Sequence, residues 1–113
     1  MAADDIRARL PRFQPGNAEE NHRLCSLLEA IAQRKDATLG QLSIVWPMAK
    51  GLRAGVFILP IPGAKSRKHL EENVRGAEIV LTTEDLAEID RLVPPGAAYG
   101  TRYPVEQMHR LNL

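Results

Sequence analysis

The chain has 113 residues, 44% hydrophobic, 26% charged and 4% aromatic, with a formal net charge of +1. That is an ordinary globular composition for one domain at most, and it excludes a nucleic-acid binder, which would carry a clustered basic face. A single cysteine, Cys25, excludes an internal disulfide, and no apolar run approaches the ~18 residues of a membrane span.

Residues 1–16 place Pro11, Pro15 and Gly16 among charges and read as an irregular lead-in. Asp4, Asp5 and Arg7 interrupt any signal-peptide core, so a cytoplasmic location is expected. Asn17 and Glu20 have capping-box spacing and open a first helix. Leu24, Leu27, Leu28 and Ile31 fall on one face of it. Thr38 and Gln41 repeat the capping-box spacing before a second helix carrying Leu39, Leu42, Val45, Trp46 and Ala49 to about Lys50. Pro47 lies inside that pattern and predicts a kink or an early stop near Trp46, since proline costs roughly 3 kcal/mol in a helix interior.

Val56 to Leu59 shows no polar alternation and reads as a strand buried on both faces, over about residues 56–60. Such a strand needs neighbours, and the rest of the chain offers no comparable one. A Pro/Gly turn follows, then Lys65, Ser66, Arg67 and Lys68 at the start of a third helix. Ser66 caps that helix, which runs to about Gly76 and is expected to bury Leu70, Val74 and Ala77. Cations and a hydroxyl crowding a helix start suit a small anion, because free N–H groups and the helix dipole both favour one there. The same residues also suit a capped, solvated helix start. Thr82 caps a fourth helix with Asp85 at its third position and Leu86, Ile89, Leu92 and Val93 facing inward. Residues 97–113 read as a C-terminal tail with one helical turn. Cys25 reads as a packing thiol, and His22 and His109 stand apart with no metal-ligand spacing.

Several of these runs, in this order, resemble the C-terminal part of the aldo-keto reductases. They are Thr38-Leu39-Gly40-Gln41-Leu42-Ser43-Ile44-Val45-Trp46, Ile58-Leu59-Pro60-Ile61-Pro62-Gly63-Ala64-Lys65, His69-Leu70-Glu71-Glu72-Asn73 and Leu81-Thr82-Thr83-Glu84-Asp85-Leu86. The resemblance implies an α/β fold class. Residues 1–113 would form a single partial domain, the C-terminal part of a (β/α)8 barrel, mostly helical with one strand. Such barrels need ~250 residues.

It also implies an oxidoreductase segment using NADP(H). Gly63, Ala64, Lys65 and Ser66 correspond to the loop that holds the adenosine 2′-phosphate. His69 stands where many members carry an arginine, and lacks the guanidinium fork. Glu72 and Asn73 correspond to the pair that hydrogen-bonds the adenine. The family's catalytic Asp, Tyr, Lys and His lie in earlier segments, and no Tyr, Lys or His of this chain stands in a matching motif. No catalytic residue is assigned, and the chain is expected to be inactive alone. The alternative is a non-enzymatic helical module. Its apolar faces would be covered by self-association or by a companion chain, or the chain would be one half of a split barrel completed by another chain.

Overall fold

The computed structural model describes residues 5–111. They form two compact units, one from residues 5–26 with 93–111 and one from Leu27–Leu92. The described residues form four α-helices: α1 (Asn17–Arg34), α2 (Leu39–Arg53), α3 (Arg67–Gly76) and α4 (Thr83–Leu92). Short 3-10 turns occupy Ile6–Arg9, Pro11–Phe13 and Val105–Arg110. Among the described residues no helix is long and apolar enough to cross a membrane.

In the first unit, the side chain of Asn21 ties the lead-in to the tail. Its Oδ1 accepts from the Tyr99 N–H at 2.8 Å. Its Nδ2 donates to the carbonyls of Arg12 at 3.1 Å and Tyr99 at 3.0 Å. Gly100, at φ +80, passes so close to Pro11 that an added Cβ would sit 2.9 Å from its carbonyl. The expected Asn17–Glu20 capping box does not form. Gly16, at φ +82, turns the chain into the helix one step early. Asn17 is therefore already helical, and its amide donates instead to the Pro11 carbonyl at 2.9 Å.

The second unit is built on an apolar core of Ile31 and Ala32 from α1, Leu42 and Val45 from α2, and Ile89 from α4. Leu86 of α4 is also buried, and Leu28, Leu39, Ile79, Leu81 and Leu92 close over the core. Each fully buried aliphatic side chain contributes about 1.5–3 kcal/mol. Leu27, expected on the buried face of α1, is exposed. α1 ends in a Schellman motif, with the Ala37 N–H donating to the Ala32 carbonyl and the Asp36 N–H to Gln33. Asp36 takes the left-handed conformation, φ 50, that glycine usually fills. α2 continues through Pro47 to Arg53, so an early stop near Trp46 does not occur. Burial of Leu42 and Val45 on one side of Pro47 and of Gly51 on the other holds both halves of the helix in place.

No strand is present among the described residues, which corrects the α/β expectation and its strand at 56–60. The physical reason is that a strand's backbone groups need a neighbouring strand to pair with, and none is present among the described residues. Instead the run crosses α2 as an irregular connection. Gly55, at φ +71, ends the helix, and the Val56 N–H donates to the Gly51 carbonyl at 2.8 Å. Gly51 makes this approach feasible, because a Cβ there would lie 2.6 Å from the Val56 carbonyl oxygen and 2.7 Å from Ile58. The run's side chains are not buried: Phe57 is 87% exposed, Leu59 70% and Ile61 92%. The apolar face expected of α3 is likewise open, with Leu70 55% and Val74 62% exposed, and Ala77 is exposed as well.

α4 opens on the expected box. The Asp85 N–H donates to Thr82 Oγ at 3.2 Å, and the Thr82 N–H to Asp85 Oδ2 at 2.7 Å. Asp85 Oδ2 also pairs with Lys35 Nζ at 2.5 Å. Burial pushes the Asp85 carboxyl up, but the hydrogen bonds from Lys35 and Thr82 and the charge of Lys35 outweigh it and hold it below its ordinary range.

The stabilisation from Asp85 is therefore complete above the unfolded value of about 3.9 and is lost as pH falls through the lower folded value. Asp85→Ala should cost about 2 kcal/mol at neutral pH through the lost box and charged hydrogen bond. Urea melts should show the gap to the wild type narrowing as pH drops from 5 to 3. Gly51→Ala should cost about 1–3 kcal/mol, the usual range for overpacking, and hydrogen exchange should show faster opening at Val56.

Candidate functional site

Gly63, Ala64 and Lys65 form the last part of the connection into α3. All three are exposed, and nothing lies within 4 Å of where a Gly63 Cβ would stand. The backbone there is open to close approach by a ligand. Ser66 is the N-cap of α3, extended at φ −142, ψ 154, and its Oγ accepts from the His69 N–H at 3.2 Å. The Leu70 N–H bonds the Ser66 carbonyl at 3.0 Å. The N–H groups of Arg67 and Lys68 precede this first intrahelical bond and point out of the helix end. The Ser66 hydroxyl accepts from His69 and keeps its own proton free to donate.

Lys65, Arg67 and Lys68 are exposed, and among the described residues they form no ion pair. The unit's ion pairs lie elsewhere: Arg34–Glu88 at 2.5 Å, Lys35–Asp85 at 2.5 Å and Lys50–Asp90 at 2.6 Å. The basic turn thus gathers three cations, without an ion pair among the described residues, beside a helix N-terminus.

Spacings of three and four residues bring His69, Glu72, Asn73 and Gly76 onto one side of α3. His69 is exposed, whereas Glu72 and Asn73 are half-buried. Glu72 lies about 9 Å along the axis from Ser66 by helix rise. Gly76 packs on α2, where a Cβ would meet the Gln41 Cα and carbonyl oxygen at 3.5 Å. Glu72 is gripped from α2 at two points. Its Oε1 accepts from the Thr38 hydroxyl at 2.7 Å, and its backbone carbonyl accepts from Gln41 Nε2 at 3.0 Å.

A cleft of about 940 Å³ opens beside this contact, lined by Lys35, Thr38, Gln41, Lys68, Glu72 and Arg75 among others. Of the seven residues expected at the site, only Glu72 lines it; the others stand on the loop and the rest of α3. The tie from Thr38 to Glu72 has no local signature, because it joins residues 34 positions apart. Among the described residues, no group of three or more His, Cys, Asp or Glu is placed to hold a metal ion.

A family model described as the aldo/keto reductase family matches residues 3–94. The aldo-keto reductase yakc of Schizosaccharomyces pombe, whose name carries NADP(+), is 38% identical over 100 residues, which are 88% of this chain and 28% of that protein. A probable aldo-keto reductase 1 of Glycine max is 36% identical over 93 residues, 82% of this chain and 26% of that protein. The chain spans little more than a quarter of the length of these relatives. No solved structure matches it. With most of its length matched by the family model and by relatives above a third identical, the chain belongs to the aldo/keto reductase family.

Proposed function

We propose that the chain carries the adenosine end of an NADP(H) site and does not carry the reacting groups. The observation that supports this reading is the gathering of Lys65, Arg67 and Lys68, exposed and without ion pairs among the described residues, around the Ser66-capped start of α3, in a chain of this family. The residues fit a ribose 2′-phosphate. Lys65 supplies a mobile charge, the Ser66 hydroxyl a donor, and the free N–H groups of the first turn an oriented positive field. Gly63 and Ala64 let the backbone lie close to the nucleotide. His69 adds a donor without the fork of an arginine. Glu72 supplies an acceptor for the adenine amine, and Asn73 a donor and an acceptor for the ring edge. When bound, the cofactor supplies a hydride; these residues supply binding and orientation only. No Tyr, Lys or His of this chain is assigned to the carbonyl chemistry, so the chain alone is inactive.

A second reading is favoured by the exposure of Phe57, Leu59, Ile61, Leu70 and Val74. In it the apolar run and the open face of α3 associate with another copy or a companion chain, and the basic turn is incidental. A monomer by light scattering that binds no hydrophobic dye counts against this reading.

Titration calorimetry with NADP and NAD tests the first reading: NADP should bind more tightly. Lys65→Ala should weaken NADP by about 1 kcal/mol, roughly fivefold for an exposed charged hydrogen bond. Raising salt from 50 to 300 mM should weaken NADP and leave NAD nearly unchanged. Equal affinities for the two cofactors would contradict the 2′-phosphate assignment. With NADPH and a panel of aldehydes the purified chain should show no turnover above buffer, and measurable turnover would overturn its inactivity.

A further inference from the structure

We propose that Thr38 is a positioning residue for Glu72 and, through it, sets which purine the nucleotide site accepts. The proposal rests on the NADP(H) reading above and goes beyond it by naming a residue on a different helix. The Thr38 hydroxyl has one proton and two lone pairs. It accepts from the Gln41 N–H at 3.2 Å, closing the N-terminus of α2, and donates its proton to Glu72 Oε1 at 2.7 Å. Gln41 completes the box by accepting from the Thr38 N–H at 2.9 Å. The same Gln41 side chain then donates to the Glu72 backbone carbonyl. One pair of residues therefore caps α2 and holds both the backbone and the carboxylate of Glu72 on α3. The close approach of Gly76 to the Gln41 backbone fixes the spacing at which this works.

A glutamate on a helix surface ordinarily samples several rotamers, and ordering it costs side-chain entropy. The Thr38 bond meets that cost before a ligand arrives, which is preorganisation. It also sorts the two oxygens. Oε1 is taken by Thr38, and among the described residues Oε2 has no hydrogen-bond partner, so Oε2 is the acceptor left for a ligand. An acceptor held there recognises an exocyclic amine, as on adenine, and rejects the 6-oxo group of hypoxanthine. Thr38, Gln41 and Glu72 all line the cleft.

The test is calorimetric titration of the 113-residue chain with adenosine 2′-monophosphate and inosine 2′-monophosphate. The wild type should prefer the adenosine nucleotide about tenfold, the scale of one hydrogen bond. Thr38→Ser keeps the hydroxyl and should keep the preference. Thr38→Asp keeps a strong N-cap but sets an acceptor against Glu72. It should lose the preference while still binding both nucleotides measurably, a change that a purely structural role would not produce. Glu72→Gln gives an independent reading. With Thr38 holding its carbonyl oxygen, its NH2 faces the ligand, and the preference should invert toward inosine. A Thr38→Asp chain that keeps the wild-type preference, or a Glu72→Gln chain that shows no inversion, overturns the positioning role while the nucleotide site stands. A wild type that binds both nucleotides equally overturns the assignment of Glu72 to the base. A wild type that binds neither overturns the NADP(H) reading, and this inference with it.

Discussion

Helix α3 carries His69, Glu72 and Asn73 of the candidate site, yet it contributes almost no apolar side chain to the core. Gly76 is its one fully buried residue. What holds it is a polar seam: a glycine against the Gln41 backbone, and two hydrogen bonds from the α2 capping box to Glu72. Hydrogen bonds of this kind contribute only about 1 kcal/mol each, but they are directional, and van der Waals contact at Gly76 sets their length. The position of every candidate site residue on α3 follows from this seam. The core of α1, α2 and α4 supplies the bulk of the stabilisation and the platform that keeps the N-terminus of α2 in place.

Charge is distributed to match this division. The cations Lys35, Arg34 and Lys50 are spent on carboxylates of α4. Those around Ser66 are left without partners among the described residues. Local packing gives no reason for three unpaired cations to gather at one helix start, where the dipole already disfavours positive charge. An anion there relieves both effects together, which is why the turn reads as a binding feature more readily than as a stabilising one.

Much of the helical layout was legible from the residues. The boxes Thr38/Gln41 and Thr82/Asp85 and the Ser66 cap stand where their spacings put them, because capping depends on neighbours within one turn. The tail's helical turn lies at Val105–Arg110. Where the outcome depended on distant partners, local signals failed. Val56–Leu59 has the composition of a buried strand but nothing among the described residues to pair with. Leu70 and Val74 have core spacing but no opposing surface. Asn17 was diverted by the positive φ of Gly16, and Pro47 was overridden by burial on both sides of it. Asp36 gave no warning that it would take a glycine conformation. For the site, the loop and helix order could be read directly. The Thr38–Glu72 bond could not, since no pattern within either helix encodes it.

The open run from Val56 to Ile61 also bears on solubility. Four consecutive exposed apolar residues with β-forming side chains would ordinarily be a template for intermolecular cross-β stacking. Pro60 and Pro62 follow immediately and lack the N–H groups that such stacking needs. Arg53 on one side and Lys65, Arg67 and Lys68 on the other add like-charge repulsion between copies. The basic turn proposed to hold a phosphate therefore doubles as a gatekeeper. An anion that neutralises it would remove part of the barrier that keeps neighbouring copies of this segment apart.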